Sequence, residues 1–297
     1  MPARPPLVHV NSVCPQSDMK KPKTTVGLSV DFYGDLTPSR IIHGLRYLGV
    51  EFIEVTRSVF RETETVAKVL KNIRTALHLP LVHQDGWDFS CSGFQQQIDS
   101  TIEQIHRHRE KLAIQHVIAH PPESESTAAA VDSSFDLLLH NLQRIELPVC
   151  LENVPCSDPD LFLRQVDRAQ KFLGDLWAGI CFDAAHYMVS NVAPVREFIR
   201  LRDRIGCVHL SDCDPDEDQH LPFGVGGSLP VEQLLRTIGK SGFRGYITLE
   251  IKPRSMAQVD DLIRSYLLTL RALHYGKYLR TRMRLTLLRP WLKKAVS

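Results

Sequence analysis

The feature that most constrains what this chain can fold into is an alternation of two kinds of segment. Eight short apolar, β-rich runs recur at spacings of 26 to 40 residues, at 26–30, 52–55, 80–83, 116–120, 149–153, 179–183, 206–210 and 246–251. Most are apolar without interruption, as strands buried on both faces are. The stretches between them carry helical signals. Thr37-Pro38 is an N-cap followed by a proline at the first helical position; Ile41, Ile42, Leu45 and Leu48 recur at helical spacing; Gly49 supplies a stop. Asp158-Pro159 repeats the start signal ahead of Leu161, Phe162, Val166 and Phe172. Pro230 opens a further stretch through Val231, Leu234, Leu235 and Ile238, closed by Gly239 and Gly242. Eight strand–helix units predict an α/β fold, a single (β/α)8 barrel. An open doubly wound sheet is the alternative. No GxGxxG follows the first run, which counts against its dinucleotide-binding version.

With 43% hydrophobic and 24% charged residues in 297, the composition is that of a globular protein. No apolar run is long enough to span a membrane, and the N-terminus has no secretory apolar core, so a cytoplasmic protein is expected. Seven cysteines without a CxxC pair are expected as reduced thiols; Cys150, Cys181 and Cys207 sit inside apolar runs. The net charge of +2 is unevenly spread: +3 over residues 1–25, +7 with no acid over 276–297, and therefore −8 between. Residues 1–25, rich in Pro, Lys and Ser, are expected as a disordered tail, 26–275 as the barrel and 276–297 as a basic C-terminal extension. That extension mixes seven cations with Leu279, Met283, Leu285, Leu287, Leu288, Trp291 and Leu292. It has two readings, a segment touching an acidic surface or anionic lipid, or a helix packed on the barrel wall, with Pro290 expected to interrupt it.

The chemistry lies at the ends of the runs. Almost every run ends in a residue able to ligate a metal: His83, His120, Glu152-Asn153, Asp183-Ala-Ala-His186, His209-Leu-Ser-Asp212 and Glu250. In a barrel these C-terminal strand ends converge on one mouth. A buried carboxylate or imidazole needs a partner, and several together can share a divalent cation. Glu152, Asp183, His209 and Glu250 give three carboxylates and one imidazole, a set that suits Mn²⁺, Zn²⁺, Co²⁺ or Mg²⁺. The loop 214–218 is strongly acidic, and Gly224, Gly226 and Gly227 would let the following chain turn over the mouth.

Taken in order, Glu152-Asn153, Asp183-x-x-His186, His209-Leu-Ser-Asp212, Asp218-Gln-His220-Leu-Pro-Phe-Gly224-Val-Gly226 and Gly245-Tyr-Ile-Thr-Leu-Glu250 resemble the xylose isomerase-like barrel superfamily over residues 26–273. That group holds sugar-phosphate isomerases and epimerases and endonuclease IV. The resemblance implies that Glu152, Asp183, His209 and Glu250 hold the metal and that Glu152 and Glu250 are the catalytic acid–base pair. The implied function is a metal-dependent isomerase or epimerase working through an enediolate on a sugar or polyol, phosphorylated or not. His186 would contact the substrate or orient Asp183, and His83, His120, Trp87 and Lys252 are further candidates for substrate contact. Epimerases of the group often carry an arginine after the seventh-strand histidine; here no Arg or Lys occurs between Gly206 and Leu235.

Two other readings stand beside it. Endonuclease IV holds three zinc ions with nine ligands, and their types are matched in order by His83, His120, Glu152, Asp183, His186, His209, Asp218, His220 and Glu250. The resemblance then implies a phosphodiesterase acting on abasic DNA, with Trp87 and Phe89 as stacking platforms. The chain departs from that family at Gln84-Asp85-Gly86-Trp87-Asp88 and at Val154-Pro-Cys-Ser, and its acidic body repels a phosphate backbone. The third reading is a barrel without chemistry, used as a binding module docked through the basic extension. Whether copies of the chain associate is left open.

Overall fold

The computed structural model describes residues 24–34, 36–122, 128–252 and 256–296. The expected tail therefore lies outside the described residues up to position 23, and Thr25 already belongs to the first strand. Eight strands close into a parallel barrel: β1 (Thr25–Val30), β2 (Phe52–Val55), β3 (Arg74–His78), β4 (Ile114–Ala119), β5 (Val149–Glu152), β6 (Trp177–Asp183), β7 (Ile205–Leu210) and, after a two-stranded hairpin of β8 (Asp212–Asp214) and β9 (Glu217–Leu221), β10 (Tyr246–Leu249). The last of these pairs with β1 and closes the ring.

The helices that cover the barrel begin and end largely where the sequence signals lie. α1 (Pro38–Leu48) has Pro38 in its first turn and ends at Gly49 in the left-handed region, φ 78°. There follow α2 (Thr63–Leu70), the short α3 (Val82–Asp85), α4 (Gln95–His108), α5 (Ala128–Gln143) and α6 (Pro159–Leu173). Asp158 caps α6 by accepting from the Asp160 amide at 2.9 Å. α7 (Ala184–Val189) and α8 (Pro194–Leu201) lead to α9 (Val231–Ser241), which runs through Gly239 and stops at Gly242. α10 (Met256–Leu273) is followed by α11 (Tyr275–Val296), which continues through Pro290. The expected interruption is corrected: the proline removes one i→i−4 hydrogen bond without ending the element. Among the described residues no helix is long and apolar enough to cross a membrane.

A second correction concerns the third strand. It is Arg74–His78 and not 80–83. Pro80-Leu81 follow it as a connection, and Val82 to Asp85 form the one-turn helix closed by Gly86 at φ 78°.

Alternate residues along each strand point inward. Phe52, Ala76, Ile118, Cys150, Cys181 and Cys207 fill one inner layer. Phe52 leaves no room for a side chain at Gly27 on β1, because a Cβ there would lie 2.3 Å from the Phe52 carbonyl oxygen and 2.5 Å from its ring. The three cysteines of this layer are free thiols; burial pushes Cys181 and Cys207 far above the ordinary thiol range, and the hydrogen bond with Cys207, together with burial, does the same to Cys150. Two residues further along the same strands, toward the mouth, stand Glu54, His78, Glu152, Asp183 and His209. A polar layer sits directly on an apolar one.

Candidate metal centre at the barrel mouth

Each residue of the polar layer is placed by strand register. Glu54 is on β2, His78 ends β3, Glu152 ends β5, Asp183 ends β6 and His209 is on β7. Asp183 is paired with His209 across β6 and β7. His120 follows β4 and Glu250 follows β10 directly. His186, in the first turn of α7, receives its position from Asp183, whose Oδ1 accepts the His186 amide at 2.8 Å. Asp218 and His220 come from β9. That hairpin is held by Asp212, whose carboxylate accepts the amides of Cys213, Gly224 and Leu229 at 2.8 to 3.0 Å. Gly227 packs on the same carboxylate, where a Cβ would lie 2.2 Å from Oδ1.

The donors form overlapping groups around Glu152, which has no exposed surface. Its Oε2 lies 3.1 Å from His78 Nε2 and 3.3 Å from His120 Nε2. Its Oε1 lies 3.1 Å from His209 Nδ1, and that nitrogen is 3.2 Å from Glu250 Oε2. Ligand atoms of Glu152, Asp183, His209 and Glu250 all lie within 4.8 Å of one another, as do those of His78, His120 and Glu152. On the outer side, Asp218 Oδ2 is 3.2 Å from both His186 Nε2 and His220 Nε2, and His220 Nε2 is 3.8 Å from Glu250.

The hydrogen bonds at the back of the rings decide what the front atoms offer. A carbonyl only accepts, so His78 Nδ1–H donates to Leu79 (2.9 Å) and His186 Nδ1–H donates to Asn153 (2.6 Å). The Nε2 of each then faces a carboxylate. A neutral ring would set a lone pair against an acceptor, so a proton or a cation belongs between them. His209 is held the same way from behind, with Nε2 2.9 Å from Glu54, which also accepts from Thr248 at 3.0 Å. This carboxylate–imidazole pair directs Nδ1 at the other acids. Asp183 Oδ2, Asp218 Oδ1 and His220 Nδ1 are buried without a hydrogen-bond partner. The donor set thus fits divalent cations bound by nitrogen and oxygen.

The electrostatics of the protein without metal follow from the same geometry. Burial alone would raise Glu152, but His209 and His120 overcome it and hold its carboxyl well below the usual range. Burial raises Glu250 too, and His220 and His209 hold it low. Burial opposes the charge on His209, yet Glu152 and Glu54 push it well above an ordinary imidazole. His186 is raised to about 10, because Asp183 and the hydrogen bond to Asp218 outweigh its burial. Burial raises Asp183 to about 7. The raised imidazoles contribute stability that is complete below pH 6.5 and fades as pH rises toward 10. The lowered glutamates contribute stability above pH 4.5 that is lost in acid, and Asp183 adds a decline between pH 3.8 and 7. Chelator-treated protein is therefore expected to melt highest near pH 5, with Tm lower by at least about 5 °C at pH 9 in thermal scans. A Tm that rises from pH 5 to pH 9 would contradict this arrangement.

The remaining sequence candidates are placed differently. His83 lies on the exposed surface of α3, at the rim of the cleft, and His78 occupies the strand-end position at the centre. Trp87 and Phe89 are buried, with ring centroids 6.3 Å apart and Arg57 over the indole at 5.4 Å, so neither presents a face for stacking. Lys252 stands at the cleft with Nζ 3.5 Å from Glu250. Sequence reasoning missed His78 and Glu54. Above the centre the cleft measures about 710 Å³ and is walled by Gln84, Pro155, Ser157, Asp158 and Lys252.

Fold and donor set together define a class of barrel with a polar mouth whose His, Asp and Glu side chains could hold a metal. A family model described as the xylose isomerase-like TIM barrel matches residues 45–273, and the chain belongs to that family. A search of curated proteins finds no match. Among solved structures, the chain is similar to a putative xylose isomerase from Rhodospirillum rubrum, at 16% identity and TM-score 0.64 over 84% of this chain and 98% of that one. It is similar to a D-tagatose 3-epimerase-like protein, at 16% identity and TM-score 0.60 over 83% and 98%. A family 2 AP endonuclease from Brucella melitensis matches at 14% identity and TM-score 0.56 over 80% and 96%. At these identities the likeness establishes the fold alone.

Proposed function

We propose that this chain is a divalent-metal-dependent hydrolase of a phosphate ester carried by a small molecule. The observation that carries the reading is the count and arrangement of donors. His78, His120, Glu152, Asp183, His186, His209, Asp218, His220 and Glu250 converge on one mouth, and Glu152 directs one oxygen to each of two groups. With His78 in the place of His83, this is the nine-residue set that resembles endonuclease IV. When bound, divalent cations here would supply Lewis acidity, lowering the pKa of water and neutralising charge on a phosphoryl group. The chain's own residues do the rest. Glu54 fixes the His209 ring, Asn153 fixes His186, and Asp212 braces the hairpin that brings Asp218 and His220 inward. Among the described residues that line the cleft, Lys252 is the one Lys or Arg. A single cation orients one anionic group; it does not track a nucleic-acid backbone. The cleft volume and the buried Trp87 argue in the same direction.

The second reading, a sugar isomerase or epimerase with one metal, has its own support in the compact Glu152, Asp183, His209 and Glu250 quartet. It needs Glu152 and Glu250 as an acid–base pair against a substrate carbon. Glu152 lines the floor of the cleft, but its oxygens face His78, His120 and His209, which favours a ligand's role over that of a base in contact with substrate.

Elemental analysis of the purified chain, together with parallel assays on a chromogenic phosphodiester and a ketose panel, separates the readings. About three Zn or Mn ions per chain with phosphodiester turnover is the expected result. One ion per chain with ketose turnover would replace it with the second reading. A chain that takes up no metal in excess Mn²⁺ or Zn²⁺ would leave neither standing and would favour the binding module.

A further inference from the structure

At the other end of the barrel from the mouth, α11 has two faces. One is pinned to the body: Tyr278 and Leu285 pack against the core, the buried Thr281 donates to the Leu48 carbonyl at 3.1 Å, and Lys277 pairs with Glu51 at 2.8 Å. Leu48 ends α1 and Glu51 precedes β2, so the contact lies at the N-terminal ends of the strands. The other face is bare. Tyr275, Leu279, Met283 and Leu287 follow one another at every fourth residue, with 62%, 49%, 60% and 68% of their surface exposed. Residues that far apart share one side of a helix. They account for four of the nine exposed large hydrophobics of the described chain. Cations flank this stripe on both sides, with Arg280 on one and Arg282 on the other; the segment 276–297 carries seven cations and no acid.

We propose that α11 is a membrane-surface anchor that lays its apolar stripe into the interfacial region of an anionic lipid bilayer. Charge and apolarity together choose the occupant. A second copy of the chain, pairing stripe to stripe, would bring its Arg280 and Arg282 against these and would be repelled. A nucleic acid would satisfy the cations and leave the stripe in water. Anionic lipid covers the one with acyl boundary and the other with headgroup charge. Because the face opposite the stripe is fixed to α1, the helix would dock as a rigid edge of the barrel. The barrel mouth would stay turned to solution, so attachment would localise the site without closing it.

The test is co-sedimentation of the full chain with vesicles of phosphatidylcholine alone and of phosphatidylcholine with phosphatidylglycerol, in low and high salt. The expected result is partitioning onto the anionic vesicles at least about tenfold above the neutral ones, reversed by salt. The double variant Leu279→Glu/Met283→Glu is expected to lose it, and Arg280→Gln/Arg282→Gln to weaken it about tenfold. These exposed positions lie outside the mouth, so metal content should not change. Should the glutamate variant fail to fold, the glutamine variant and the salt series decide. Equal partitioning onto both vesicle types, or none, overturns the proposal, as does anionic binding that survives both variants. Conversion of a dimer to a monomer by Leu279→Glu/Met283→Glu would give the stripe to a second copy. Binding of duplex DNA at lower protein concentration than vesicles, unchanged by that variant, would give it to nucleic acid. Either result also overturns it.

Discussion

Glu152→Gln is expected to strip the mouth of metal and to lower turnover by at least about 10³-fold, some 4 kcal/mol in the barrier, while the barrel stays folded. The reason is the geometry of one carboxylate. Oε2 faces His78 and His120, and Oε1 faces His209, so both groups of donors lose a ligand in a single substitution. Glutamine keeps the volume of the side chain and so leaves no cavity. It replaces one acceptor oxygen with a donor nitrogen aimed at imidazoles, which disfavours any cation there. Glu54→Gln is the matched control. It leaves every ligand in place and alters only the group behind His209 Nε2, so a loss of about 10- to 100-fold in metal affinity is expected. Metal content after dialysis, read beside circular dichroism, checks both. A Glu152→Gln chain that retains its full complement would place the centre elsewhere, whatever its activity.

The parts of this site that the sequence showed, and those it hid, differ for a physical reason. Glu152, Asp183, His209 and Glu250 each close an apolar run, and a charged residue ending a buried strand is visible without coordinates. Helix starts at Pro38 and Pro159 and the stops at Gly49 and Gly242 were equally legible, because capping chemistry is local. His78 was hidden by the strand that carries it. Arg74 and Thr75 open β3 with polar residues, and they do so because Arg74 lies over the Tyr246 ring at 5.3 Å and bonds its hydroxyl, a contact between residues far apart in the chain. The apolar run 80–83 then imitated a strand. Pro80 was the available signal, since a residue without an N–H marks the end of a central strand as readily as its start. Glu54 was hidden differently. It lies inside Phe52-Ile-Glu-Val55, and only the phase of inward-pointing residues shows that Phe52 and Glu54 share the barrel interior. Trp87 illustrates the reverse error. An aromatic beside a strand end has the composition of a substrate platform, and its burial under Arg57 is a tertiary fact.

Apparent metal affinity at the mouth is expected to rise about 100-fold per pH unit through the neutral range, two protons leaving for each cation set that forms. The sign follows from the groups that must change state. His209 and His186 are both raised above an ordinary imidazole by the acids around them, and in the metal-free protein both therefore carry a proton at pH 7. A cation needs the lone pair of His209 Nδ1 and of His186 Nε2, so binding expels those protons. Mass action then makes affinity climb by about tenfold per pH unit for each proton, as long as the pH is below the raised values. Asp183, near 7, adds a third proton on the acid side of neutrality. Glu152 and Glu250, held low, are already ionised and add nothing to the slope. Competition with a chelator of known pH dependence, or calorimetry in buffers of different ionisation heat, counts the released protons directly. The same network thus serves twice: the imidazolium–carboxylate pairs that stabilise the empty mouth in mild acid are the bonds a cation has to replace. A pH-independent affinity would mean that the rings are neutral before metal arrives. In that case the acceptor-to-acceptor contacts at His186 and His209 would have to be relieved by movement of the carboxylates, and the Glu54 contact to His209 is the first that would change.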